Sequence, residues 1–199
     1  MVGGRQREFD KSEALDKAMK VFWKKGFVGS SITDITKSMG INKPSMYATF
    51  GNKEQLFIQA IENYLENYTT RHVVLLSQAN KSLEQRLRAY LMSILGSQCN
   101  ENEPKGCYIS VCISEAASED LPIDACRVIS KARDLGENLL TAFFTDEQTK
   151  GHIGLQYNPK ELALFFITIS HGTAAMARAN KPVTELETVI ERALLVLKN

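Results

Sequence analysis

The stretch SITDITKSMGINKPSMYATFGNK, from Ser31 to Lys53, constrains the fold more than any other part of the chain. Its punctuation fits two short helices joined by a tight turn. Ser31 stands where an N-cap accepts hydrogen bonds from the first free amides, and Asp34 three positions on completes a capping box. Ile35 and Met39 repeat at helical spacing and give that helix one apolar face. Gly40 supplies the left-handed residue that ends it, and Asn42 caps a second helix with Pro44 in its first turn, where a missing N–H costs little. Met46 and Phe50 fall on the buried side of this second helix, while Lys43, Ser45, Ala48 and Thr49 face outward. Two such helices have little core of their own and need the rest of the chain to hold them. An N-terminal turn offering Lys43 and Ser45, with Tyr47, Thr49 and Lys53 beside it, fits the major groove of B-DNA. An ordinary αα-corner would show the same periodicity.

The elements around this pair are also helical. Asp10 and Glu13 predict a capping box that opens a helix to Lys25, with Ala14, Leu15, Ala18, Met19, Phe22 and Trp23 on its buried face. Gly26 stops it. A long helix is expected from about Asn52 to Ala79, with no Gly or Pro to interrupt it, as a rigid link between the two ends of the molecule. Ser82 and Gln85 cap a helix from Leu83 to about Ser97. Gly106 to Ala117 reads as an apolar helix, although a strand over CYISVCI stays open because β-branched residues weaken the helical reading. Further helices are expected from Asp120 to about Thr145, with Ala125, Val128, Ile129, Ala132, Leu135, Leu139 and Phe143 inward, from Asn158 to about Ala179, and from Thr184 to Leu197. The helix after Asn158 is apolar on more than one side. Phe165, Phe166, Ile169, Gly172, Ala175 and Met176 exceed one core-facing stripe, which fits either a thick monomeric core or a second subunit.

The run from Phe9 to Tyr64, and within it FWKKGFVGSSITDITKSMGINKPSMYATFGNKEQLF, resembles the DNA-binding domain of the TetR/AcrR family of transcriptional regulators. The order of Gly26, Phe27, Ile35, Gly40, Lys43, Tyr47, Phe50, Lys53 and Leu56 carries the likeness, and the remaining two thirds resemble the family in length and helical rhythm. The resemblance implies an all-α fold, with an N-terminal three-helix helix-turn-helix domain over residues 1–55 and a helical effector-binding and dimerisation domain over 56–199. It implies a homodimer, packed through its last two helices, that binds double-stranded operator DNA and releases it to an unidentified small-molecule effector. Lys43, Pro44, Ser45, Tyr47, Thr49 and Lys53 match family positions that contact DNA, and Ser31 and Thr33 match contacts from the preceding helix. Tyr47 and Lys53 would hold phosphates, while Lys43 and Ser45 would read base edges. Ala48 and Thr49 stand where many relatives carry an aromatic or histidine pair, which thins direct readout there.

Charge placement agrees. Residues 1–55 hold ten Lys and Arg against six Asp and Glu, a net of +4, so the remainder carries −3 of the total +1. The basic end is the end that would meet phosphate, and Arg5 and Arg7 form a short basic arm or a solvated tail. The longest apolar run, Leu162 to Ile169, is too short for a bilayer span, and MVGGRQREFD has no signal-peptide core, so a cytoplasmic location with no membrane partner is expected. Four cysteines without metal-like spacing predict reduced thiols, no metal and no cofactor.

An enzyme is the rival from another class. Ser170 beside His171 suggests nucleophilic chemistry, yet adjacent residues on a helix point apart, and no phosphate loop, HExxH or GxSxG occurs. A ligand cavity is expected among Tyr90, Met92, Tyr108, Phe143, Phe166 and Met176, with His171 and Cys107 as its polar points. Cys107, near the start of an apolar helix, gains thiolate character from the helix dipole, so a redox- or electrophile-sensing regulator acting through Cys107 is the alternative.

Overall fold

Asp10 opens the first helix by accepting from the amides of Ser12 and Glu13 at 2.8 and 3.1 Å. The computed structural model describes residues 9–117 and 120–198, and no strand occurs among them. In α1 (Lys11–Lys25), Glu13 pairs with Lys17 at 2.7 Å instead of closing the expected box. The capping box of α2 (Ile32–Met39) has both arms, and Gly40 ends the helix at φ +73°, a left-handed conformation that a side chain would strain. Asn42 caps α3 (Lys43–Phe50), with Pro44 in the first turn. Asn52 and Gln55 cap each other at the start of α4 (Lys53–Tyr64).

The expected single rod from Asn52 to Ala79 is not what forms. A π turn over Leu65–Thr69 follows α4, then α5 (Thr70–Val73), and the run closes as a 3₁₀ turn over Val74–Ser77. No Gly or Pro breaks the backbone; hydroxyl groups loosen it. Thr69 Oγ1 donates to the Leu65 carbonyl, and Thr70 Oγ1 to that of Glu66 at 2.7 Å, so side chains compete for the carbonyls of the i→i−4 ladder.

The remaining helices are α6 (Leu83–Gln98), α7 (Tyr108–Glu115), α8 (Ile123–Thr149), α9 (Pro159–Arg178) and α10 (Val183–Leu194), with a 3₁₀ turn at Leu195–Lys198. Segment 108–115 is helix and not strand, because Tyr108, Ile109 and Cys112 share one buried helical face. On α8 the buried row is Ala125, Ile129, Ala132, Leu140 and Phe144, one side of the row expected, and Leu135 is 52% exposed. No helix is long and apolar enough to cross a membrane among the described residues.

Two apolar clusters hold these helices. One joins α1, α2, α3 and α4 to Tyr108, Ile109 and Cys112 of α7 and to Ala125, Ile129 and Ala132 of α8. Trp23 anchors it, edge-on to Tyr64 at 5.2 Å and to Tyr68 at 5.9 Å. The other gathers α6, the second half of α8, α9 and α10 around Leu87, Leu140, Phe144 and Phe166. A buried ion pair from Arg86 of α6 to Glu147 of α8 crosses this second cluster, and Arg86 Nη1 also donates to the Leu76 carbonyl at 3.0 Å.

Candidate nucleic-acid interface and buried cavity

Local caps set the first site. Ile35, Met39, Met46 and Phe50 are buried and lock α2 against α3, so the opposite side chains stay in water. Ser31, Thr33, Lys43 and Pro44 are exposed, Tyr47 is 49% exposed, and Ser45 and Thr49 are half-buried at the edge of the same surface. The Asn42 carboxamide oxygen accepts from the Ser45 amide at 2.8 Å, which fixes the first turn of α3 at the surface. Lys53 differs from its neighbours. Its ammonium lies 4.4 Å from the centroid of the Phe27 ring, and burial there pulls its pKa down. Arg5 and Arg7 lie outside the described residues.

Two charged side chains fasten this surface to the rest of the molecule. Glu115, at the end of α7, accepts from the amides of Phe27 at 2.7 Å and Val28 at 3.4 Å. Arg178, at the end of α9, donates to the carbonyls of Trp23 at 2.8 Å and Lys24 at 3.3 Å. The turn after α1 is thus held by a carboxylate on its donors and a guanidinium on its acceptors. Gly106 permits the approach of α9: at φ +87°, an added Cβ would lie 2.8 Å from the Ala174 carbonyl oxygen and 2.7 Å from Arg178 Cγ.

A cavity of about 530 Å³ lies between these fastenings and the π turn. Leu65 and Tyr68 of the π turn, Ile94 of α6, Cys107 and Ile109 at the start of α7, and Leu139 of α8 form much of its wall. Of the ligand residues expected from sequence, Tyr90, Cys107 and His171 line it. The other five lie elsewhere. Tyr108 is fully buried against Phe57, Tyr64 and Trp23; Phe166 is fully buried on Phe144; Phe143 packs beside Phe144 and under the Arg86 guanidinium. Met92 borders a shallow surface groove between α6 and α10, and Met176 is 45% exposed on α9. The lining residues missed by sequence reasoning include Tyr64, His72, Ser110 and Leu135. Gly136 was the available signal, since a glycine inside a long helix marks close approach of another element, and an added Cβ there would lie 3.1 Å from Ile167 Cδ1 of α9.

Several polar groups of the cavity are paired within the protein. His72 Nδ1 lies 2.8 Å from Ser93 Oγ, and its Nε2 3.4 Å from Ser97 Oγ. His171 Nδ1 lies 2.7 Å from Ser110 Oγ. Ser170, weighed and set aside as a nucleophile beside His171, turns its hydroxyl to the Phe166 carbonyl at 3.0 Å. Burial, with the Arg71 charge nearby, lowers the His72 pKa to about 4, and burial lowers that of His171. Both imidazoles are neutral at pH 7. The Tyr64 hydroxyl donates to Cys107 Sγ at 3.6 Å. Burial pushes the Cys112 and Cys99 thiols up, away from thiolate.

Comparison with known proteins gives a consistent picture. Residues 14–60 match the family model described as bacterial regulatory proteins, tetR family. The chain is 30% identical over 184 residues to the HTH-type transcriptional repressor ComR of Escherichia coli K12, covering 92% of this chain and 86% of that one. The HTH-type transcriptional repressor BdcR of the same organism is 41% identical over 64 residues, 32% of each chain. A solved structure of the TetR family transcriptional regulator CifR, a cysteine mutant complexed with 26-bp double-strand operator DNA, superposes with a TM-score of 0.87 at 30% identity, covering 96% of this chain and 98% of that one.

Proposed function

The chain belongs to the TetR family of bacterial regulatory proteins, and from that premise we propose that it is a homodimeric, cytoplasmic repressor that binds a pseudo-palindromic operator and releases it when a small molecule fills the buried cavity. Residues 1–55 read DNA, and residues 56–199 bind the effector and the second subunit. The observation that carries this reading is the first turn of α3, capped by Asn42 so that Lys43, Pro44 and Tyr47 stand in water on a basic end of the chain. Lys43 and Ser45 read base edges, Tyr47 and Lys53 hold phosphate, and Ser31, Thr33 and Thr49 flank them. Lys53 reaches a phosphate by leaving the Phe27 ring.

Dimerisation is supported by an apolar face with no cover in the single chain. Leu164, Phe165 and Met176 on α9, with Val183 and Val189 on α10, are between 39% and 54% exposed. A two-fold interface along these helices sets two copies of α3 on one face of the duplex. Selection of bound duplexes from random DNA, with sedimentation of the same sample, tests the whole reading. An inverted repeat and a dimer are expected. A monomer that selects a single half-site overturns the assembly, and no enriched sequence overturns the function. The regulatory reading also replaces catalysis by Ser170 and His171.

One observation favours a second trigger. Cys107 is the cysteine that lines the cavity, with the Tyr64 hydroxyl on its sulfur. A redox- or electrophile-sensing regulator would act there, and Cys107→Ser would abolish release by oxidant while sparing operator affinity.

A further inference from the structure

The chemistry of the cavity wall says what kind of molecule it admits. Its apolar surface comes from Leu65, Val73, Ile94, Ile109 and Leu139, and among the described residues no Asp, Glu or Lys contributes to it. Among the described residues the formal charge on the lining is Arg133, an exposed residue of α8 whose guanidinium is tied to Asp134 at 2.8 Å and to Ser130 at 3.1 Å. Arg71, also exposed, stands 5.4 Å from the Tyr68 ring centroid and donates to Ser97 Oγ at 3.2 Å. Both cations therefore sit at the surface and already have partners.

Several interior polar atoms are engaged as well. Ser93 and Ser97 occupy the two nitrogens of His72, Ser110 occupies one nitrogen of His171, Tyr64 is on Cys107, and Gln98 Nε2 donates to the Ser170 carbonyl at 3.0 Å. A cation entering this space finds no carboxylate on the wall. An anion must shed its water without a free counter-charge, a cost that grows steeply as the surroundings become apolar. A neutral, mostly apolar molecule breaks none of these hydrogen bonds and brings no charge to desolvate.

Building on the effector reading above, we propose that the cavity selects an uncharged, predominantly apolar ligand, with at most one polar group seated between Cys107 and His171. Cys107 and Ser110 are one helical turn apart on α7, and Ser110 brings His171 of α9 to the same wall. The volume holds two fused aromatic rings with a substituent, within the range of ordinary ligand pockets.

Two dyes that share one skeleton and differ in charge test this: N-phenyl-1-naphthylamine, which is neutral, and 8-anilino-1-naphthalenesulfonate, which is anionic. Each is titrated into the full-length dimer by fluorescence, with Leu139→Trp and Ile94→Trp as two independent ways of filling the cavity and circular dichroism as the check on folding. The expected result is a Kd at least tenfold lower for the neutral dye, with its signal lost in whichever filled variant stays folded. Equal or tighter binding of the sulfonate, lost in the same variants, overturns the proposal. So does failure of the neutral dye to bind, or its unchanged binding to the filled variants. Operator titration with the neutral dye bound separates the two claims: binding without any change in operator affinity leaves the ligand class standing and removes the effector reading.

Discussion

Lys43 on α3 and His171 on α9 belong to surfaces that treat polar groups in opposite ways. Around Lys43 the side chains stand in water, and the backbone is closed by caps three residues long, such as Asn42 to Ser45. Around His171 the polar groups pair across elements that are far apart in the chain, α9 to α7 through Ser110 and α9 to α6 through Gln98. The exposed groups can exchange water for phosphate at little cost to the fold, whereas the buried ones are part of the packing itself. A change on the first surface should therefore alter binding alone. A change in the second region should alter stability as well.

The largest break in this contrast lies at Arg86. Replacing it by Met leaves the buried Glu147 carboxylate with only His152, at 2.8 Å, and Lys150, at 3.7 Å, and up to about 3–5 kcal/mol of unfolding free energy should be lost in urea titrations. A loss below about 1 kcal/mol would mean that buried pairing is not what holds this half of the molecule. Next come the fastenings between the two regions. Glu115→Gln or Arg178→Met each removes charge-assisted hydrogen bonds worth about 1.5–3 kcal/mol, and hydrogen exchange at the Phe27 and Val28 amides should accelerate in Glu115→Gln. Unchanged exchange there would show that the turn after α1 holds itself.

On α3 the expected changes fall on affinity and not on melting. Lys43→Ala and Ser45→Ala should each lose ~1–3 kcal/mol of discrimination between operator and random DNA. Lys53→Ala and Tyr47→Phe should weaken binding to both, the lysine change lowering the salt slope by about one unit. Equal losses on all sequences for all four variants would refute α3 as the reading helix. The effect that is smallest near neutral pH is acidic, and it grows only as the solution is acidified. Unfolded His72 takes a proton near its ordinary pKa, while the folded ring refuses one until about pH 4, so the unfolded state binds more protons in between and stability declines as pH falls through that window. His72→Gln should flatten this decline, and a melting curve indifferent to the substitution would remove the buried ring from the account.

The same contrast explains what the sequence discloses. The caps at Ser31, Asn42 and Ser82 are legible because donor and acceptor lie three residues apart, and all three form. Lys43, Tyr47 and Thr33 are legible as surface because Ile35, Met39, Met46 and Phe50 fix the buried side by spacing alone. The cavity is less so. Tyr108 and Phe166 have the chemistry of lining residues, yet each is surrounded by aromatic neighbours from other helices, and no local spacing records those neighbours. Cys107 and His171 are found because a polar group inside an apolar helix stands out in any context. The π turn leaves only Thr69 and Thr70 as its trace, two hydroxyls among residues that otherwise favour a helix.

The Trp23 cluster has a consequence for how the molecule comes apart. Its members run from α1 through Phe57 and Tyr64 to Tyr108, and Phe22 rests edge-on against Phe57 at 5.1 Å. The proposed boundary after residue 55 would divide labour without dividing cooperativity. A fragment cut there would expose Phe22 and Trp23 and have no independent melting transition to lose, because the partners that bury them lie beyond the cut. The helix-turn-helix and the first turns of α7 and α8 should unfold as one unit, with the cluster around Phe144 and Phe166 as the second.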